Sequence, residues 1–290
     1  MTEFIKDRDF GEVMSDTFNF FIKEFMPLAK ILLIFIGPFI LIDVYILFNF
    51  QGVLEQWSEE FMKTQKFNNF PTDIYYFLLI SIFQNILLVT VVSAYIKLRT
   101  KKEKNTVELS DIWRVVSESV LSVTLGQILV FLAVLLGSVL IALSGMIALS
   151  FLLIIIWASY VMVSMYLLTF IIVFEKKTLF EAFSRTLFVV KKNRWSVFGA
   201  VIVFGIIIGL SNLIASFIIE KLISIVSTGT AANVLIILLT ELVSLALSTV
   251  LAILPAYLYA SFVSKKENPD LLEKISKIKE DFEDNESENN

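Results

Sequence analysis

Two carboxylic acids stand inside apolar runs long enough to be buried in a bilayer: Asp43 in LIDVYILF and Glu241 in ILLTELVSL. Placing such a group at the centre of a spanning helix costs about 2.5–3.5 kcal/mol on insertion scales, so an ionisable residue there is a functional candidate by default. Amides accompany them at comparable depth: Gln84 and Asn85 in a second run, Gln127 in a third, and Asn212 in a fifth. No Lys or Arg lies deep enough to neutralise either acid, so each must be protonated, hydrogen-bonded to an amide or hydroxyl, or wetted by a cavity. Asp43, Gln84, Asn85, Gln127 and Glu241 thus form a candidate intramembrane polar site. It would suit a proton, a cation or a polar lipid headgroup. The structural alternative is interhelical hydrogen bonding, worth under about 2 kcal/mol per bond.

The elements that must position these residues are membrane-length helices. Hydrophobic residues make up 57% of the 290 and charged residues 18%. A soluble domain is more polar than that, and here the apolar residues come in runs matching the ~20 residues needed per crossing. Six crossings are predicted: 28–48, with Pro38 inside it as a kink; 74–98; a third ending near 143; a fourth reaching about 174; 197–219; and 231–263. A polar stretch, 49–72, separates the first two. Tight connections fall at Ser144-Gly145 and at Ser227-Thr228-Gly229.

Three amphipathic segments precede crossings and are expected to lie in the cytoplasmic interface. The first, DFGEVMSDTFNFFIKE from Asp9, puts Phe10, Val13, Met14, Phe18 and Phe21 near one face. The others are LSDIWRVV from Leu109 and TLFEAFSRTLFVVKK from Thr178. Aligning Phe10 with Leu179 pairs Glu12 with Glu181, Ser15 with Ser184, Thr17 with Thr186 and Lys23 with Lys192; Asp111 takes the same place as the two glutamates. The pattern reads either as a threefold repeat of interfacial helix plus hairpin or as convergence on residues that suit any cytoplasmic approach to a membrane helix.

With the N-terminus inside, only Lys63, Lys66 and Lys221 of the 24 Lys and Arg fall on the outer side. That bias predicts both termini in the cytoplasm, in a bacterial cytoplasmic membrane, with no cleavable leader ahead of the first span. The chain divides into a six-helix domain, 1–264, and a tail, 265–290. In the tail Leu271, Ile275, Ile278 and Phe282 suggest a short amphipathic helix before a disordered acidic end.

The sixth run carries small residues every fourth position, Thr240, Ser244, Ser248, Ala252, Ala256 and Ala260, and the fifth offers Gly205 and Gly209. These spacings predict a close helix seam, either within the chain, with Gly205 and Gly209 facing the row of small residues, or in a dimer. Pro255 is expected to bend the sixth helix near its exit.

Absences narrow the chemistry. With no Cys and no His, disulfides, thiol nucleophiles, imidazole-ligated metals and the usual base of serine hydrolases are all excluded. No GxSxG, GxGD or phosphate-binding loop occurs, and no cofactor is implied. The basic residues hug the bilayer, which favours anionic headgroups over nucleic acid.

Three stretches carry a resemblance: RDFGEVMSDTFNFFIKEFMPLAKI, VFEKKTLFEAFSRTLFVVKKNRWSVFG and LPAYLYASFVSKKENPDLLEKI. The first resembles the opening of six-pass bacterial proteins related to the membrane domain of glycerophosphoryl diester phosphodiesterase. The second resembles their central order of acidic residue, amphipathic helix, Ser/Thr and basic exit, and the third their close, a proline followed by a Tyr-rich helix end and a charged exit. The resemblance implies an all-α, six-helix membrane fold. It implies no phosphodiesterase activity, which belongs to a separate soluble domain that these residues do not include. The expectation is a non-enzymatic protein that organises, assists or regulates a membrane partner or lipid, with membrane lipids, another membrane protein or a second copy as partners. The alternative is a small transporter or lipid-handling protein built around Glu241 and Asp43.

Overall fold

The computed structural model describes residues 4–64, 73–101, 107–144, 147–226 and 229–267, and every regular element among them is an α-helix. The predicted tail helix and acidic end, Gly145, Ser227 and Thr228 lie outside the described residues.

Helix α1 (Phe10–Phe35) starts where Asp9 caps it. The Glu12 amide donates to Asp9 Oδ1 at 2.7 Å and the Asp9 amide donates to Glu12 Oε2 at 2.9 Å, satisfying two end groups reciprocally. The helix continues through Pro27 and meets α2 (Gly37–Thr64) at a bend of 63°. Pro38 was expected within a kinked crossing. The bend falls just before it: α1 ends at Phe35, and Pro38 occupies the first turn of α2, where its missing N–H leaves no hydrogen bond unmade. The polar stretch after Phe48 also differs from expectation, because α2 runs on to Thr64. Between Asn49 and Thr64 there is no proline and mostly good helix formers such as Leu54, Glu55, Gln56, Glu59 and Glu60.

The remaining helices are α3 (Asp73–Lys101), α4 (Leu109–Leu143), α5 (Ile147–Met165), α6 (Leu168–Glu175), α7 (Leu179–Val190), α8 (Arg194–Val226) and α9 (Thr230–Glu267). The segment at Leu109 does not stand apart from the third crossing. With no breaker between them the two make one helix of 35 residues. The fourth crossing is interrupted at Tyr166-Leu167, and α9 passes through Pro255 without a break. Helix α7 is set off from the crossing that follows it by the turn at 191–193. Its Glu181 carboxylate accepts the Thr178 N–H at 3.0 Å.

The bundle is most buried along the later halves of α3 and α9 and along α6. Val91 to Ala94, Phe170 to Val173 and Ile253 to Ala260 are nearly all inaccessible. Helices α4, α5 and α8 instead turn large apolar side chains outward, among them Leu121, Leu140, Phe151, Leu213 and Phe217. That arrangement is unfavourable in water and suits a hydrocarbon surround.

Two predictions arise here. At the α4–α5 seam a Cβ on Gly137 would stand 2.0 Å from Trp157 Nε1, a ring held by its hydrogen bond to the Ala133 carbonyl at 3.2 Å. Gly137→Ala must displace that ring, and an apparent loss of about 1–3 kcal/mol is expected in thermal unfolding of the purified protein; an unchanged midpoint would disprove the close packing. Separately, a side-chain hydrogen bond with Thr178 holds the Glu181 carboxyl below its ordinary value of 4.5. A depressed acid contributes its stability above its unfolded pKa and loses it as pH falls through the folded one. Amide exchange at the start of α7 should therefore stay slow through the ordinary glutamate range and rise only under more acid conditions, an effect absent from Glu181→Gln.

Candidate functional site

Asp43 is carried by α2, seven residues past the bend, and is almost fully buried. Gln84 of α3 donates from Nε2 to Asp43 Oδ2 at 2.5 Å, joining the two helices, while Asp43 Oδ1 has no hydrogen-bond partner. Beside this pair lies a cavity of ≈ 170 Å³. Its polar wall is Ser81, Gln84 and Asn85 from α3 with Glu241, Ser244 and Ser248 from α9; its apolar wall includes Ile36, Ile40 and Leu88. Gln84 and Glu241 each stand eleven residues into their helices, about 16 Å along the axis. No Lys or Arg lines the cavity.

Four of the five polar residues singled out in the sequence therefore gather in one place. Gln127 does not join them; it donates to Thr169 Oγ1 at 2.9 Å, tying α4 to α6. Asn212 reaches the edge of the site from α8, donating to Ser244 Oγ at 3.3 Å.

The row of small residues on α9 divides its roles. Ser244 and Ser248 line the cavity, whereas Ala252 and Ala256 are buried in the packed core. Gly205 and Gly209 differ from the predicted seam. Both are exposed, and a Cβ on either would meet nothing within 4 Å. The buried stripe of α8 is Val197, Ala200, Phe204 and Ile208, and Phe204 stacks on Phe18 at 5.2 Å. Larger apolar side chains bury more surface, so the glycine ridge lies one residue further round the helix.

A second polar layer, toward the other end of the bundle, was not singled out in the sequence. Glu24 of α1 accepts from the Tyr95 hydroxyl at 2.5 Å and from Arg99 Nε at 3.1 Å. Glu175 accepts from Arg185 Nε at 3.0 Å and from the Tyr259 hydroxyl at 2.6 Å. Arg8 is buried, pairs with Asp16 at 2.7 Å and lies over the Tyr257 ring. Lys97 donates to the Val173 carbonyl. The available signal was the Tyr95-x-x-x-Arg99 spacing, which puts a hydroxyl and a guanidinium on one helical face.

The class follows from these elements. Among the described residues five helical stretches are long and apolar enough to cross a membrane, and six if α1 and α2 count as one bent span. This is the build of a multi-pass, membrane-embedded protein. Compared with known proteins, the chain matches no family model, no curated protein and no solved structure.

Proposed function

We propose that the protein is a non-enzymatic membrane protein that handles a small cationic group inside the bilayer, in the cavity between α2, α3 and α9. The observation that carries this reading is a cavity lined by the Glu241 carboxyl with amides and hydroxyls and without a lysine or arginine, one of whose lining amides, Gln84, holds the buried Asp43. In a low-dielectric surround a carboxyl with no lysine or arginine beside it disfavours anions and favours a proton or cation. The occupants that one cavity-lining carboxyl with amide and hydroxyl oxygens suits are a proton, a monovalent cation or a primary amine.

The wider setting belongs to the same proposal. The charge distribution supports cytoplasmic termini in a bacterial cytoplasmic membrane, and the residues quoted above support kinship with the glycerophosphoryl diester phosphodiesterase membrane domain. A hairpin repeat is supported by matching details. Glu12 and Glu181 each accept the amide of the residue preceding their helix, and the buried Thr17 and Thr186 each donate to the carbonyl four residues back at 2.7 Å. The second reading, an organiser of a lipid or membrane partner, is favoured by the outward-facing Phe180, Leu187 and Phe188 of α7.

The test is reconstitution of the full chain into liposomes, with entry of protons, sodium and methylammonium followed under an imposed potential. Protein-dependent movement of at least one is expected; movement of none, together with no binding of any of them to the purified protein, would refute the proposal.

A further inference from the structure

A second cleft stands on independent observations, away from the cavity just described. Between α5 and α8 a space of ≈ 490 Å³ is walled by Ile155, Ile156, Val163 and Phe198, with Tyr160, Arg194 and Trp195 where α8 begins. The Arg194 guanidinium lies 4.7 Å from the centre of the Tyr160 ring, which fixes its orientation. Its Nε is buried and has no acceptor among the described residues. No carboxylate lines the cleft, and the turn just before it presents the exposed Lys191 and Lys192. Ile155, Ile156, Tyr160 and Trp195 are all exposed, so the cleft opens on the outside of the bundle.

We propose that this cleft binds an anionic phospholipid, its phosphate on Arg194 and one acyl chain along the apolar wall. A guanidinium is suited to a phosphate because its planar fork donates in parallel to two oxygens. A buried N–H without an acceptor is costly, and a phosphate oxygen would supply one. The predominantly apolar lining identifies the ligand as a lipid and not free phosphate, which would leave Ile155, Val163 and Phe198 unused. Trp195, 84% exposed beside the arginine, has the amphipathic ring favoured at headgroup depth. Lys191 and Lys192 extend the positive field toward the headgroup region.

The test uses the full chain in detergent, titrated with phosphatidylglycerol or phosphatidylcholine whose acyl chains carry bromine, a contact quencher of tryptophan. Four tryptophans contribute emission, and Trp195→Phe supplies the background to subtract. Phosphatidylglycerol is expected to quench Trp195 at about tenfold lower concentration than phosphatidylcholine, whose phosphate is the same but whose choline cation offsets the attraction of Arg194, Lys191 and Lys192 for the headgroup. Arg194→Gln should remove that preference, Arg194→Lys should keep part of it, and added salt should weaken it. Equal quenching by the two lipids in the unaltered protein overturns the proposal and needs no variant to fold. A preference unchanged in Arg194→Gln overturns it as well. Because the chain has no cysteine, Ser159→Cys can report the competing occupant. Disulfide-linked dimers that persist with saturating phosphatidylglycerol would assign the cleft to a second copy and not to lipid.

Discussion

Glu241→Gln and Asp43→Asn are each expected to reduce cation entry into liposomes by at least about tenfold, with the double variant no worse than either alone. The substitutions separate charge from shape. Asn at position 43 keeps a carbonyl oxygen able to accept from Gln84 Nε2, so the 2.5 Å link between α2 and α3 can persist. Gln at position 241 fills the same volume beside Ser244 and Ser248. What each removes is the ability to become a carboxylate, and a tenfold loss corresponds to only about 1.4 kcal/mol, modest for one charge in a low-dielectric site. Non-additivity follows from shared occupancy, since residues forming one site lose it once. Gln127→Ala is the contrasting control: its partner is Thr169, outside the cavity, so it should affect stability and leave entry unchanged. Native entry rates in both acid variants would end the proposal that the cavity handles a cation.

Arg8→Ala should cause the largest loss of stability, about 3 kcal/mol, the lower end for breaking a buried ion pair. The side chain is 4% exposed, and it donates to Asp16 at 2.7 Å and to the Phe4 carbonyl at 2.8 Å. Its own carbonyl accepts from Ser261 at 2.9 Å and Lys265 at 3.1 Å, so the chain start is clamped against the end of α9. Removing the guanidinium leaves Asp16, 32% exposed, without its ion-pair partner; that partial access to water is why the lower end applies. Arg8→Lys should fall between, because a point charge cannot bond in several directions while lying over the Tyr257 ring. Combining Arg8→Ala with Asp16→Ala should recover part of the loss, as no uncompensated charge remains. Thermal unfolding of the purified variants measures all three. An Arg8→Ala midpoint equal to the native one would show that the guanidinium contributes nothing.

Most of the candidate site was legible in the sequence, for a reason that concerns cost. Asp43, Gln84, Asn85 and Glu241 are conspicuous because each interrupts an apolar run, and polar groups persist there only with a partner or a wet cavity. Arg8, Glu24 and Glu175 were not conspicuous, since a charged residue near the end of an apolar run is ordinary and gives no sign of burial. Their importance depends on Tyr257, Tyr95 and Tyr259, which arrive from helices distant in sequence. The glycine seam was misread for a related reason. Spacing puts Gly205 and Gly209 on one ridge, but which ridge packs is decided by competition among all faces of α8, and Phe204 and Ile208 bury more.

The sequence alone determined that the chain is helical, how many apolar stretches it has, and which acids and amides they contain. These properties depend on local composition and on the about 20 residues needed to span hydrocarbon. Tertiary structure decided which polar residues meet. It put Asp43 on Gln84 and Glu241 across the same cavity, sent Gln127 to Thr169, ended the first helix before Pro38 and continued α2 into the polar stretch. Those outcomes depend on the rotation and tilt of each helix against its neighbours, which packing of the whole bundle sets and no single segment encodes.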